Sequence, residues 1–371
     1  MRLPSSGAVI VAVSLALSTV GCGDSDVEPT PAAVPTPTPG PPTDFMYVSD
    51  WKTSTVLGFS VGEDGKLTPV PGSPFATGAE QARGITADSS GAFVYLVDRA
   101  ERVIGFRVED AGRLSRIPGG EAGTGKDPRS IAAHPTLPRL YVTNAEDSTL
   151  TVMGFDRTTG AITSSVVVPT ASFPTVVDVH PSGRFLYLGA VARVAMHRLR
   201  LDGSPGSVRE VGPSDMVAAR VLRLTPSGEA LFVYEDGYNR FFTFFVNENT
   251  GALTEPSGPH SLDRQGFMMD FSIDPSGRYL YLDTLTDTVP GFEIDERLRL
   301  TPLPGSPTQL MPGTEDALVN LEPKGRFAYI FEGPRNARII RTCRVYSGVL
   351  TSLRTDRLGN KDPYGATFVY R

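Results

Sequence analysis

The chain has 371 residues, with 41 acidic against 35 basic side chains and a formal charge of −6. That mild acidity excludes a general nucleic-acid binder, which would carry a basic face. Only two cysteines are present, so no disulfide framework supports the fold and it must rest on apolar burial, for which this length is ample.

The first predicted element is a leader over residues 1–22. Arg2 gives a basic start, and Ala8 to Leu17 form an apolar core too short to cross a bilayer of about 30 Å. Thr19-Val20-Gly21-Cys22 then reads as a bacterial lipoprotein cleavage box, with Thr19 in place of the usual leucine. Cys22 is the expected lipidation site; the alternative is an ordinary secretory signal cut near Ser18. Residues 23–44 follow, with prolines at 29, 31, 35, 37, 39, 41 and 42. Such a segment cannot bury a core and reads as a disordered tether. At about 3.1 Å per residue it could reach roughly 65 Å from a membrane.

From residue 45 to 371 the text repeats. An aromatic recurs at Tyr47, Tyr95, Tyr141, Tyr187, Phe232, Tyr281 and Tyr329, in steps of 45 to 49 residues. About 20 residues later a second marker appears: Gly65-Lys-Leu-Thr, Gly112-Arg-Leu-Ser, Gly160-Ala-Ile-Thr, Gly206-Ser-Val-Arg, Gly251-Ala-Leu-Thr and Gly348-Val-Leu-Thr. The sixth unit keeps only Leu300-Thr301. A period of this size means a repeat architecture. Within each unit the apolar period is two, and Pro-x-Gly, Asn/Asp and Thr-Gly clusters separate the runs, which are strand and turn signals. The reading is all-β: a seven-bladed β-propeller with four antiparallel strands per blade. Pro69, Pro71, Pro302 and Pro304 are expected in outermost strands, where an edge tolerates proline. The first unit lacks a first strand, and DPYGATFVYR at residues 362–371 matches first-strand text. The tail is therefore expected to complete the first blade and close the ring, and its deletion to unfold or greatly destabilise the domain. An outer-membrane barrel also alternates, but the odd repeat number and short strands count against it.

Aligning the innermost strands gives columns. Thr86, Ala132, Asp178, Arg223, Ser272, Asn320 and Thr367 form a mixed column expected to face the channel, with Asp178 and Arg223 pairing across adjacent blades. At one mouth stand Arg83, Arg129, Thr175, Arg220, Met269, Ala317 and Tyr364. Arginine grips carboxylate or phosphate with a planar fork. The column reads either as an anion-binding funnel or as arginines bonded to loop carbonyls. His134 and His180 stand where other units have Asp88, Thr225, Asp274 and Glu322, so they read as turn braces. Cys343, in the run RIIRTCRVY, reads as a small buried residue. No metal or cofactor site is expected, and the chain reads as a monomer.

The text LYVTNAEDSTLTVMGFDRTTGAIT, with HPSGRFLYL and LTPVPGSPF, resembles the lactonase family of seven-bladed propellers, which includes propeller-type 6-phosphogluconolactonase and carboxymuconate cyclase. The resemblance covers Phe45 to Arg371. In catalytic members it implies Pro-Arg-His on an innermost strand and a glutamate sixteen residues after the arginine, following Tyr-x-x-Asn. Here Pro128-Arg129 and Tyr141 to Asn144 fit, but Ser130 and Ala145 replace the histidine and the glutamate. Arg220 and Asp236 repeat the separation in the fifth blade. Two functions follow as expectations. The first is a lactonase-like hydrolase of the cell envelope, with Arg83, Arg129 and Arg220 holding an anionic lactone and Asp236 or Asp270 assisting water; Asp178, Arg223, Asn320 and Tyr364 would add ligand contacts. The second is a non-catalytic propeller binding a ligand or protein partner at the envelope, where the lipid on Cys22 would hold it to the membrane.

Overall fold

The computed structural model describes residues 44–211, 216–235, 238, 240–254, 260–261, 268–334 and 336–370. Asp236 lies outside them. Seven antiparallel sheets each carry four strands in order from hub to rim. In blade 3 these are Pro128–Ala133, Arg139–Asn144, Thr149–Phe155 and Ile162–Pro169. Burial follows radius. Second strands such as Phe93–Asp98 are buried at every position, because a neighbouring blade covers each face. The rim strand Ile162–Pro169 is mostly exposed.

Closure occurs as the repeat predicts. The tail strand Pro363–Tyr370 pairs antiparallel with Asp44–Asp50, from Asp44 opposite Tyr370 to Asp50 opposite Pro363. Val369 is buried in the core of blades 1 and 2, and Phe368 meets Tyr329 of blade 7 with ring centroids 6.2 Å apart. One chain end thus ties the first sheet to both neighbours. At the rim two corrections apply. Pro69 and Pro302 end outermost strands, whereas Pro71 and Pro304 sit in the turns that follow. Short segments then return to the sheets, as where Phe75–Ala76 pairs with Thr55 and Val56.

The two sequence markers are partners across six of the seven blade junctions. The hydroxyl of Tyr47 donates to the Gly112 carbonyl at 2.7 Å, Tyr95 to Gly160 at 2.8 Å, Tyr187 to Gly251 at 2.7 Å, Tyr281 to Gly348 at 2.6 Å and Tyr329 to Gly65 at 3.1 Å. Tyr141 donates to Gly203, not to the expected Gly206. Gly203 has the positive φ of +79° that the turn demands, so the fourth blade's marker lies three residues earlier than the Leu/Ile-Thr alignment suggests. At every one of these turns but Gly203, where Arg139 takes the ring's place, a β-carbon would strike the ring two residues before the tyrosine; at Gly160 it would sit 2.5 Å from Phe93 Cδ1. Blade 6 departs from the pattern, and its neighbour departs with it. Leu298 holds the turn at φ +59°. In blade 5 the bulky ring is replaced by Ala230 and the tyrosine by Phe232, and all three pack in one core cluster.

A third device binds incoming loops to the hairpins. Some second strands end in buried carboxylates that accept loop amides: Asp98 from Glu80 and Gln81 at 3.0 and 3.1 Å, Glu332 from Met311 at 2.7 Å, and Asp50 from Asp362 at 3.0 Å. Arg102 and Arg341 on the third strands neutralise the first two. A buried carboxylate needs that combination of donors and counter-charge.

Candidate active site

The seven innermost strands surround a cavity of about 920 Å³. All seven residues of the mixed column, Thr86, Ala132, Asp178, Arg223, Ser272, Asn320 and Thr367, line it. Most of the polar ones also bind the next blade. Asp178 Oδ2 accepts from the Leu224 amide at 2.9 Å, Ser272 Oγ donates to the Val319 carbonyl at 2.6 Å, and Thr367 Oγ1 accepts from the Ala87 amide at 3.1 Å. Innermost strands of adjacent blades share no sheet, so these side chains connect backbones that would otherwise face each other unpaired. Asn320 differs: its buried amide nitrogen has no hydrogen-bond partner among the described residues.

The expected pairing of Asp178 with Arg223 is replaced by another. Arg223 Nη2 donates to Asp270 Oδ2 at 2.6 Å, while Asp178 is committed to the amides of Leu224 and Val179. Two amides satisfy that carboxylate, which leaves the guanidinium to the blade on its other side. Burial raises the Asp178 carboxyl above its ordinary range, against the effect of those amides and the Arg223 charge.

Asp270 has a second acidic neighbour. It stands directly opposite Asp283 across the first and second strands of blade 6, a placement that brings β-carbons to within about 5.5 Å. Asp283 is buried, accepts the Val319 amide at 2.9 Å and lines the same cavity. Burial, with the nearby Asp270 charge, pushes its carboxyl well above the ordinary range. Asp316 and the buried Arg338 complete this side, Arg338 also reaching Asp362 at 3.3 Å.

The mouth is organised by a residue that the column alignment does not contain. Asp127 accepts from Arg83 at 2.7 Å through one oxygen and from Arg129 at 2.8 Å through the other. Burial would raise its carboxyl, but the two guanidiniums hold it below the ordinary range. Arg83 also donates to the Pro128 carbonyl at 2.8 Å, so it fits the reading of an arginine bonded to loop backbone and is not part of the cavity lining. Arg129 and Arg220 do line it. Arg129 lies over the Phe173 ring, 4.8 Å from its centroid. Tyr364 also lines the cavity, and the charges of Arg83, Arg129, Arg220 and Asp270 all act on its phenol, whose pKa is raised mainly by burial. Thr175 donates to the Ala219 and Arg220 carbonyls at 3.3 and 3.1 Å, which occupies it structurally.

Away from the hub, His134 Nδ1 accepts the Thr136 and Leu137 amides at 3.1 and 3.0 Å, and Nε2 meets the Gly183 carbonyl at 3.1 Å. His180 repeats this with Ser182 and Gly228. Both brace turns, as Asp88 does through the Phe93 amide. At the resemblance positions Ser130 lines the cavity and accepts the Val177 amide at 3.3 Å, Ala145 is buried, and Asn144 donates to Thr149 and Thr151 at 2.9 and 2.8 Å.

Fold and hub together define a closed β-propeller with a charged central cavity. The seven-bladed β-propeller lactonase family model matches residues 85–269, and the chain belongs to this lactonase family. Among solved structures it is similar to a Bacteroides uniformis protein proposed as a 6-phosphogluconolactonase, at 17% identity and a TM-score of 0.72, covering 88% of this chain and 99% of that one. It is also similar to a periplasmic gluconolactonase of Pseudomonas aeruginosa, at 17% identity and a TM-score of 0.70, with the same coverage of both chains. A Lactobacillus plantarum protein follows at 16% and 0.69, covering 88% of this chain and 99% of that one. These likenesses concern the fold. No curated protein matches the chain in sequence.

Proposed function

We propose that the chain is an exported, lipid-anchored hydrolase that opens an anionic lactone at the mouth of its central cavity. The observation that carries this reading is the division of one cavity into a cationic side, Arg129 and Arg220 on blades 3 and 5, and a carboxylate side, Asp270 and Asp283 on blade 6. Arginines suit both a substrate carboxylate and the oxyanion of a tetrahedral intermediate. Asp270, paired with Arg223, is suited to take a proton from water as its oxygen bonds to the lactone carbonyl carbon. Collapse of that intermediate breaks the ring carbon–oxygen bond. Asp283, which burial favours in its protonated form, is placed to give a proton to the departing alkoxide. Asp236 lies outside the described residues and has no part in this scheme.

Export and anchoring rest on the leader and on Cys22.

The test is turnover by residues 45–371 on a lactone panel, with Arg129→Ala, Arg220→Ala and Asp270→Asn as variants. Turnover that falls at least tenfold in each supports the reading. Absence of turnover on every lactone overturns it in favour of a non-catalytic binding propeller, a reading that Ser130 and Ala145 at the histidine and glutamate positions favour. Loss of fatty-acid labelling in Cys22→Ser tests the anchor.

A further inference from the structure

The mouth combines arginine charge with exposed aromatic surface. Arg83 and Arg129 share the single carboxylate of Asp127, so the trio keeps a net positive charge beside Arg220. Phe173 lies beneath the Arg129 guanidinium and lines the cavity with it. Its backbone sits at φ +51°, a conformation that a bulky residue rarely adopts; Asp127 has the same φ at the same place in the preceding junction. Both precede an innermost strand, so two unfavourable backbones hold the acid and the ring against one arginine. Strain of this kind persists where surrounding structure fixes it, and it collects at ligand sites.

Across the mouth Tyr364 forms a second flat wall. It is 38% exposed although it lines the cavity, and its hydroxyl bonds to no described residue. Trp51 lies against it with ring centroids 5.4 Å apart, itself 40% exposed. Aromatic rings held by their neighbours offer a rigid contact surface at little entropic cost, and a flat ligand ring would cover them better than water.

We propose that this mouth selects anions borne on an aromatic ring, with the anionic group held by Arg129 and the ring against Tyr364 and Phe173. On the hydrolase reading above, on which this extension rests, the substrate class is an aryl-bearing lactone acid.

Trp51 is the only tryptophan, so the fluorescence of the full-length chain reports on this mouth alone. The probe is 4-nitrobenzoate, a quenching aryl anion. Saturable quenching is expected, reversed by benzoate at a concentration at least tenfold below that needed of cyclohexanecarboxylate, which has the same charge without the flat ring. Neutral 4-nitrobenzyl alcohol should quench only linearly, as it quenches free tryptophan. Tyr364→Leu should abolish the preference for benzoate, and Arg129→Leu should abolish saturation. Linear quenching by 4-nitrobenzoate, or equal displacement by benzoate and cyclohexanecarboxylate, overturns the proposal, and both are read on the unmutated chain. Binding is measured without turnover, so the outcomes separate. Aryl-selective binding with no lactone hydrolysed supports this inference and removes the hydrolase. Hydrolysis of aliphatic lactones without aryl selectivity does the reverse.

Discussion

The junction between blades 5 and 6 predicts how another junction should respond to the same exchange. Blade 3 has Gly160 in its turn at φ +76°, under Phe93 and Tyr95 of blade 2. Blade 6 has Leu298 there, under Ala230 and Phe232 of blade 5. The steric part of the second solution takes two changes at the first site, Gly160→Leu and Phe93→Ala, with Tyr95 kept. Gly160→Leu alone adds a side chain at positive φ, at about 1–2 kcal/mol. It also drives a β-carbon to 2.5 Å from Phe93 and 2.7 Å from Ile117, and overpacking of this kind costs about 1–3 kcal/mol more. Phe93→Ala alone empties a site 1% exposed, at about 3–5 kcal/mol. If the two were independent, the double variant would lose about 5–10 kcal/mol, which is comparable with the whole stability of a typical domain. If the leucine fills the space that the ring leaves, the clash disappears and part of the cavity closes, so the pair should recover about 1–3 kcal/mol. Guanidinium unfolding of the four species, compared at unchanged m-value, measures that coupling. A double variant within about 0.5 kcal/mol of the additive sum would refute the account of Leu298 as a compensated glycine.

Deleting residues 363–371 should abolish the cooperative melting transition, because it removes the innermost strand of blade 1 and its bonds to Asp44–Asp50; a truncated chain that melts unchanged would disprove closure by the tail. Tyr95→Phe should cost about 1–3 kcal/mol by leaving the buried Gly160 carbonyl without its donor, read as a shift of the denaturation midpoint. Burial lowers the pKa of His134, His180, His197 and His260. The unfolded chain therefore binds protons first as pH falls below about 6.5, and stability should be full above that value and decline beneath it; His134→Asn with His180→Asn should flatten the decline of the denaturation midpoint between pH 7 and 5. The buried Cys343 thiol, pushed up to about 12, should ignore Ellman's reagent at pH 8 until denaturant is added.

The repeat was legible because the same physical requirement is met seven times. Alternation set the strands, and the aromatic and glycine markers showed that something recurs in every unit. What they do for each other was not legible, because the tyrosine of one unit bonds the glycine of the next, about 65 residues on, as Tyr95 does with Gly160. Aligning units by Leu/Ile-Thr text placed the fourth glycine at 206. The turn itself requires a positive φ, and Gly203 is where the chain supplies it. Leu298 was hidden for a related reason: its tolerance depends on Ala230, in a different blade.

The candidate site was legible only where it follows the repeat. Column alignment brought Asp178, Arg223 and Asn320 to the cavity, and Arg129, Arg220 and Tyr364 to its mouth. It could not choose Arg223's partner, since Asp178 and Asp270 flank it on adjacent blades; backbone amides decided by satisfying Asp178 first. Asp127, Phe173 and Trp51 come from loops, and Asp283 from a second strand, so no innermost column contains them. Asp283 and Trp51 also depart from their equivalents in other blades, whereas Asp127 and Phe173 share their position with Glu315, Asp362 and Phe267. Asp98, Glu332 and Asp50 secure loops at second-strand ends, but Asp283 stands one position earlier than that column, beside Asp270 and turned into the cavity. In a ring of seven similar sheets, residues that recur are chiefly those with which one blade holds the next. Asp283 shares that duty through the Val319 amide, and Asp127 through Arg83, so standing outside the innermost columns does not by itself free a residue for chemistry. What marks Asp283 as a candidate for ligand chemistry is that it also lines the cavity, beside Asp270, at a position where no other blade carries a carboxylate.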